Sequence, residues 1–160
     1  MTKIVKMEGY EIHHPASDLK RKASTGEGIS LKEIEKRMAK KMVALEAEFL
    51  KGVPPVIEAI ESALGRLEKG KRANGDQEEI FRQGHDLKGM GGSFGYPIMG
   101  TIGSGICELS RKEIETKDLM LPLIRVHLDL LIYVNANRIK DDTDPKAAPI
   151  LAALANATPK

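Results

Sequence analysis

The chain of 160 residues is poor in cysteine and in aromatic residues, with one Cys, no Trp, three Phe and three Tyr. The single cysteine, Cys107, excludes an internal disulfide and any metal site built from several thiolates. Hydrophobic residues make up 41% of the sequence and aromatic residues only 4%, so aliphatic and Met side chains must fill the core. Such a core suits packed helices better than a β-sandwich.

Long apolar runs and a charge excess are also missing. No stretch approaches the roughly 18 apolar residues of a membrane-spanning helix, and the N-terminus lacks the hydrophobic region of a signal peptide. The 25 basic and 23 acidic residues give a net charge of +2, which provides no electrostatic basis for nucleic-acid binding. We therefore expect a cytoplasmic protein without nucleic-acid or membrane partners.

The sequence divides into three parts. Residues 1–29 contain several glycines and the basic run Lys20-Arg21-Lys22, and are interpreted as an N-terminal arm or linker. Residues 30–140 carry helical periodicity and are predicted to form one domain. Residues 141–160 are predicted to be a tail whose alanine-rich end can form a short helix.

Two amphipathic segments are predicted in the first part of this domain. A capping box over residues 30–33 begins the first segment, and the adjacent prolines Pro54-Pro55 are expected to interrupt or kink the chain. Gly70 suits the C-terminal cap of the second segment. The apolar stripe of the first segment comprises Ile34, Met38, Met42, Leu45 and Phe49.

Three further helices are predicted, the first over residues 77–94 with Asp76 as its N-cap. The next begins at Pro97, and the last begins at Lys117 and ends near residues 137–140. Long amphipathic helices joined by short connections predict an all-α fold, an antiparallel four-helix bundle. An additional N-terminal arm or helix and a short C-terminal tail complete this expectation.

The most informative run lies on the helix predicted over residues 77–94. At about 100° per residue, its buried stripe comprises Ile80, Gly84, Leu87, Gly91 and Phe94. Its outward stripe comprises His85, Gly89 and Gly92, and Lys88 lies between the two faces.

The glycines of this helix require a structural explanation, because each lowers the stability of a helix by about 1 kcal/mol relative to Ala in its interior. On the outward face, Gly89 removes the side chain that would cover the imidazole one turn earlier, and Gly92 extends the open patch. On the buried face, Gly84 and Gly91 permit close approach of the next helix, whose own inner face carries Gly105.

The outward histidine suits reversible phosphorylation. A histidine is partly unprotonated near neutral pH, so the ring of His85 can act as a nucleophile. A phosphoryl group on a side chain carries close to two negative charges, and Lys88, three residues later, can offset part of that charge. This arrangement predicts a phosphate site that another protein approaches closely.

At these residues the chain resembles the histidine phosphotransfer (HPt) domain family. The family pattern is His-x-x-Lys-Gly and, after five intervening residues, Gly, which here is His85, Lys88, Gly89 and Gly95. The resemblance covers roughly residues 30–140. One local difference is the residue before the histidine, a glycine where such proteins often have alanine.

The resemblance implies a phosphocarrier of a multistep His–Asp phosphorelay. His85 would carry phosphate between receiver-domain aspartates, with Lys88 stabilising it. The implied partners are response-regulator receiver domains and a hybrid histidine kinase. Mg²⁺ would belong to the receiver, with no cofactor or metal in this chain. No Walker-type loop is present, so we expect no autokinase activity, and we expect that the protein is not an enzyme.

The remaining residues of the run receive subsidiary roles. The predicted docking surface comprises Gly89, Gly92, Gln83 and Met90. Helix packing is assigned to Gly84, Gly91 and Gly95. Two alternatives stay open: an HPt-like module that binds receivers without carrying phosphate, and a chemotaxis-kinase-type phosphoacceptor domain phosphorylated in trans.

Histidines and cysteine elsewhere in the chain receive no functional role. His13-His14 lacks an evident third ligand for a metal, and His127 is predicted to be a packed or half-exposed helix residue. Cys107 is expected to be a small helix residue without redox function. We expect the protein to be a monomer.

Overall fold

The structure, a computed structural model, describes residues 3–14, 28–70, 75–111 and 117–157. The basic run Lys20-Arg21-Lys22 of the predicted N-terminal arm lies outside these residues. In the described ranges the elements are β1 Lys3–Met7, β2 Tyr10–His14, α1 Leu31–Glu68, α2 Asp76–Gly91, α3 Pro97–Leu109, α4 Lys117–Asn137 and α5 Ala147–Ala157. The prediction of an all-α helical bundle is confirmed.

A small β-hairpin precedes the helices and was not predicted. Strands β1 and β2 pair antiparallel, with Val5 opposite Ile12 and Met7 opposite Tyr10. These four residues alternate with polar neighbours such as Lys6, which is the period-two pattern of a strand. Residues Met1–Lys40 and Lys41–Lys160 form two compact units, and all of the packing described below belongs to the second.

Helix α1 is one continuous helix of 38 residues. Of the two outcomes predicted at Pro54-Pro55, an interruption or a kink, the interruption is wrong, because the helix extends through both prolines to Glu68. Prolines disrupt a helix by removing backbone N–H donors and crowding the preceding turn. Here the buried residues Val53 and Ile60 lie on either side of the pair, and their packing offsets this cost.

The apolar stripe at the start of α1 is exposed over most of its length. Of its five residues only the last, Phe49, is buried. The core therefore begins near Phe49 and continues along α1 through Val53, Ile60 and Leu64. The other helices contribute the buried residues Ile80, Leu87, Ile98, Met99, Ile102, Ile106, Leu109, Ile124, Leu128, Leu131, Val134, Ile150 and Leu154. None of the helices in the described ranges has the length and apolarity needed to cross a membrane.

Ion pairs and side-chain hydrogen bonds fix the helix that carries the histidine. Arg66 of α1 donates from Nε and Nη2 to Oδ1 of the buried Asp76, at 2.9 and 2.7 Å. Gln77 donates to the carbonyl of Ser110 at the end of α3 (2.9 Å). Gly75, with φ +101°, occupies the N-cap of α2, so the prediction that Asp76 is the cap residue is wrong by one position.

His127 of α4 is fully buried, which agrees with the packed alternative of the prediction and not with the half-exposed one. Its Nδ1 lies 2.8 Å from the carbonyl oxygen of Leu123, and burial lowers the pKa of its imidazole. The ring occupies the space that a Cβ at Gly105 would take. Gly105 thus accommodates a side chain of α4, whereas the sequence predicted that it would permit close approach of the helix that carries Gly84 and Gly91.

Burial of His127 predicts a pH-dependent loss of stability. The pKa of His127 is lower in the folded state than in the unfolded state. The contribution of His127 to the free energy of unfolding therefore does not change with pH above about pH 6.5. As pH falls below that value the unfolded state binds the proton first, so the free energy of unfolding decreases by at most about 1.4 kcal/mol per pH unit. We expect denaturant unfolding to show this decrease between pH 7 and 5.5.

The matched variant is His127→Gln, which cannot titrate. Its free energy of unfolding should depend less on pH over the same interval, which lies above the range in which ordinary carboxylates titrate. Equal pH slopes for the two proteins would contradict the assignment.

Candidate functional site

The site is built on a close contact between α2 and α3. A Cβ added to Gly91 would lie 2.5 Å from the backbone nitrogen of Gly100, and one added to Gly103 would lie 2.6 Å from the backbone nitrogen of Lys88. A Cβ at Gly84 would lie 2.9 to 3.1 Å from atoms of three α3 residues. The two backbones therefore meet through glycines from both helices. Gly100 and Gly103 are the α3 partners that sequence reasoning missed.

The opposite face of α2 is open. The side chain of His85 is 68% exposed, so it points away from the core. Gly89 and Gly92 are exposed as well, and a Cβ at either position would meet nothing within 4 Å. The imidazole therefore has free space on its C-terminal side along α2.

Two side chains lie beside the imidazole of His85. Its Nδ1 is 3.8 Å from Oδ1 of Asp86, a distance too long for a hydrogen bond but short enough for electrostatic influence. On the N-terminal side, the ring of Phe81 lies beside the imidazole in a near-parallel, offset arrangement, with centroids 6.2 Å apart and planes inclined by 24°. No role was assigned to Phe81 from the sequence. The signal was its position four residues before the histidine, which places the two side chains side by side on a helix.

Lys88 is exposed in the last turn of α2. Its position three residues after His85 puts the two side chains on neighbouring positions of the helix surface. The backbone of Lys88 lies against Gly103, so the residue combines a backbone fixed by α3 with a side chain in solvent. A flexible ammonium group on a fixed backbone can reach a charge that appears on the neighbouring ring.

The residues predicted to dock a partner lie in different environments. Gly89, Gly92 and Met90 are exposed, the last to 40%. Gln83 is half-buried, and its Nε2 donates to Oε1 of Glu79 at 2.7 Å. Hydrogen bonds from Arg82 and Gln83 hold the pKa of Glu79 below its usual value. The amide of Gln83 is thus engaged with its own helix.

The end of α2 differs from the prediction. The helix ends at Gly91 rather than at residue 94, and a turn over residues 92–95 follows. Gly95 adopts a left-handed φ of +84°, and a Cβ there would meet nothing within 4 Å. Gly95 was predicted to permit helix packing; in the structure it lies in this turn, with a φ that is strained for residues with a Cβ.

Aromatic and charged residues hold this turn against the bundle. Phe94 stacks on Phe49 with centroids 5.3 Å apart. The buried Tyr96 donates its hydroxyl to Oε1 of Glu46 (3.3 Å), which also pairs with Lys140 (2.7 Å). The hydrogen bond from Lys140 lowers the pKa of Glu46, and burial raises the pKa of Tyr96. The start of α3, and with it the glycine contact, is anchored from two sides.

Comparison with protein families identifies a domain family over the central part of the chain. The family model of the Hpt domain matches residues 45–132, more than half of the chain. That range contains α2, α3 and the exposed His85. Neither the curated proteins nor the solved structures show a significant match. The histidine points outward from a helical bundle, and the family model matches more than half of the chain. The chain therefore belongs to the Hpt domain family.

Proposed function

We propose that this protein carries a phosphoryl group on His85 between receiver-domain aspartates of a multistep phosphorelay. Membership of the Hpt family supports histidine phosphotransfer in general. The observation that carries the finer proposal is the open face of α2, where a 68% exposed imidazole stands beside two glycines whose Cβ positions are empty. A receiver's aspartate must approach within bonding distance of the ring, and this face offers little steric hindrance.

The geometry favours Nε2 as the nitrogen that is phosphorylated. The carboxylate of Asp86 lies 3.8 Å from Nδ1, so a dianionic phosphoryl group on Nδ1 would be repelled by it. A proton on Nδ1 is instead attracted to this carboxylate, which leaves the lone pair on Nε2. We expect the neutral imidazole to be present in this tautomer.

The transfer step then balances without a proton donor. The Nε2 lone pair of His85 attacks the phosphorus of an aspartyl phosphate, and the bond between phosphorus and the aspartyl oxygen breaks. The electron pair of that bond leaves with the carboxylate. The product is a phosphoimidazole that keeps its proton on Nδ1, and the reverse step delivers the phosphoryl group to the next receiver. Mg²⁺ in the receiver would supply charge compensation, so no metal or cofactor is assigned to this chain.

The test is transfer from a panel of receivers. We would phosphorylate each receiver domain of the source organism with labelled acetyl phosphate and Mg²⁺ and then add the full-length protein. The expected product carries acid-labile, base-stable label, as a phosphohistidine does, whereas ATP alone should give none. Receiver binding without label would favour the non-phosphorylated module. Label from a kinase in trans, with none from any receiver, would favour the chemotaxis-type phosphoacceptor.

Lys88 is proposed to stabilise the phosphoryl group as it arrives and leaves. An exposed charge at close range contributes about 1 kcal/mol or somewhat more, so Lys88→Ala should slow transfer by roughly tenfold. The variant should keep the stability of the wild type, because the side chain of Lys88 is exposed.

The matched variant is Lys88→Arg, which keeps the positive charge and should recover most of the rate. Rapid-quench measurement of phosphotransfer at saturating receiver checks both variants. Equal rates for Lys88→Ala and the wild type would remove the assigned role, as would an arginine variant as slow as the alanine variant.

A further inference from the structure

We propose that Phe81 is a positioning residue for His85, holding the imidazole in one orientation by contact between the two near-parallel, offset rings. The inference rests on the proposed function and extends it to a residue outside the His-x-x-Lys-Gly pattern. The observation is the near-parallel arrangement of the two rings, with centroids 6.2 Å apart and planes inclined by 24°. Centroid distances of 4.5 to 7 Å are typical of interacting aromatic pairs.

The kind of contact matters for the chemistry. The lone pair of a ring nitrogen lies in the plane of the imidazole, so phosphorus must approach along that plane. A neighbouring ring that restricts rotation of the imidazole therefore fixes the direction of this approach. With planes inclined by 24° and centroids 6.2 Å apart, the rings of Phe81 and His85 are near-parallel and offset, so Phe81 restricts rotation of the imidazole from the N-terminal side.

The residues around His85 indicate that the orientation of its imidazole depends on the contact with Phe81. Phe81 is half-buried, so its own ring is held by the protein and can support an exposed neighbour. On the other side of His85, one turn later, Gly89 has no side chain, and the space beyond its Cα is empty. Among the described residues near the imidazole, Phe81 thus supports the ring from the N-terminal side, and a partner can approach the ring from the C-terminal side.

The expected consequence is a change in rate rather than in affinity. An exposed histidine without a ring contact samples several staggered rotamers, and only some of them direct Nε2 toward a docked aspartate. Removing the contact should therefore lower the saturating transfer rate by roughly two- to tenfold. The KM for the receiver should stay close to its wild-type value.

The test compares Phe81→Leu with Phe81→Tyr in the full-length protein. Leucine keeps an apolar side chain at this half-buried position but removes the aromatic ring, while tyrosine restores the ring. The matched control is Phe94→Leu, which removes a half-buried phenyl ring that stacks on Phe49 rather than on His85. Thermal unfolding identifies any variant that has lost stability.

Two measurements are made on each protein. NMR of the histidine ring protons, with His85→Gln as the assignment standard, reports the ring-current shift that the phenyl ring imposes on the imidazole. Rapid-quench transfer from the receiver that labels the wild type fastest gives the saturating rate and KM. We expect Phe81→Leu to lose the ring-current shift and transfer more slowly, and Phe81→Tyr and Phe94→Leu to resemble the wild type in both respects.

The outcomes separate this inference from the function on which it rests. A wild type that accepts no label contradicts the proposed function, and the inference with it. A labelled wild type combined with a Phe81→Leu variant of equal saturating rate contradicts only the role of Phe81. The same holds if Phe81→Tyr is as slow as Phe81→Leu, if Phe94→Leu is equally slow, or if only KM changes.

Discussion

Replacing His85 by glutamine should reduce phosphoryl acceptance from every receiver to background while leaving the bundle folded. Glutamine has no ring nitrogen, so no phosphoramidate can form at that position. The side chain of His85 is 68% exposed, and surface substitutions usually change stability by no more than about 0.5 kcal/mol. Glutamine is also at least as good a helix former as histidine. The loss should therefore appear in the labelling assay and not in the thermal unfolding midpoint.

The control is His13→Gln, the same substitution at an exposed histidine of the β-hairpin. Label should be undiminished in this variant, which shows that the substitution type itself is harmless. Label that persists in His85→Gln would place the phosphoryl group on another residue. A variant that is unlabelled but also unfolded would be replaced by His85→Asn, and label on the folded Asn variant would contradict the assignment equally.

A second large effect is expected at Gly91, where alanine should destabilise the protein by roughly 2 kcal/mol or more. The added Cβ would lie 2.5 Å from the nitrogen and 2.9 Å from the Cα of Gly100, and 2.9 Å from the carbonyl oxygen of Tyr96. All three are backbone atoms, so relief requires α2 and α3 to move apart. Circular dichroism should show a melting midpoint lower by about 4 to 8 °C, given 2 to 4 °C per kcal/mol for a chain of this size.

Gly89→Ala provides the matched control, two residues earlier on the same helix. A Cβ there meets nothing within 4 Å, so alanine should stabilise the protein by up to about 1 kcal/mol through its helix propensity. The two substitutions are chemically identical and should shift the midpoint in opposite directions. A Gly91→Ala protein as stable as the wild type would show that the glycine contact is not a constraint.

The phase of α2 could be read from the sequence because the periodicity of that helix is strong. Ile80, Gly84, Leu87 and Gly91 are buried and His85 is exposed, as an advance of 100° per residue predicts. Burial determines which positions of α2 are apolar, glycine or polar. The order of these residue types along the sequence therefore reveals the buried face of the helix. The all-α class follows from the same periodicity in the other helices.

Other features depend on contacts between distant residues, which periodicity does not record. The stripe that begins at Ile34 has the right spacing for burial but is largely exposed, because spacing does not reveal where the core begins. The helix through Pro54-Pro55 is continuous, although local rules predict a break. The contacts of Gly91 with Gly100 and of Gly105 with His127 likewise require the arrangement of helices in space.

The direct backbone contact between α2 and α3 has a consequence for how partners are bound. Layers of side chains between helices can change rotamers and let the helices shift, but Gly84, Gly91 and Gly103 provide no such layer. The surface that carries His85 is therefore expected to keep the same shape in the free and bound states, as in complexes whose interface backbones move little on association. Different receivers would then have to fit one unchanging template, so that selectivity among them resides in their own surfaces and in the exposed side chains around the histidine.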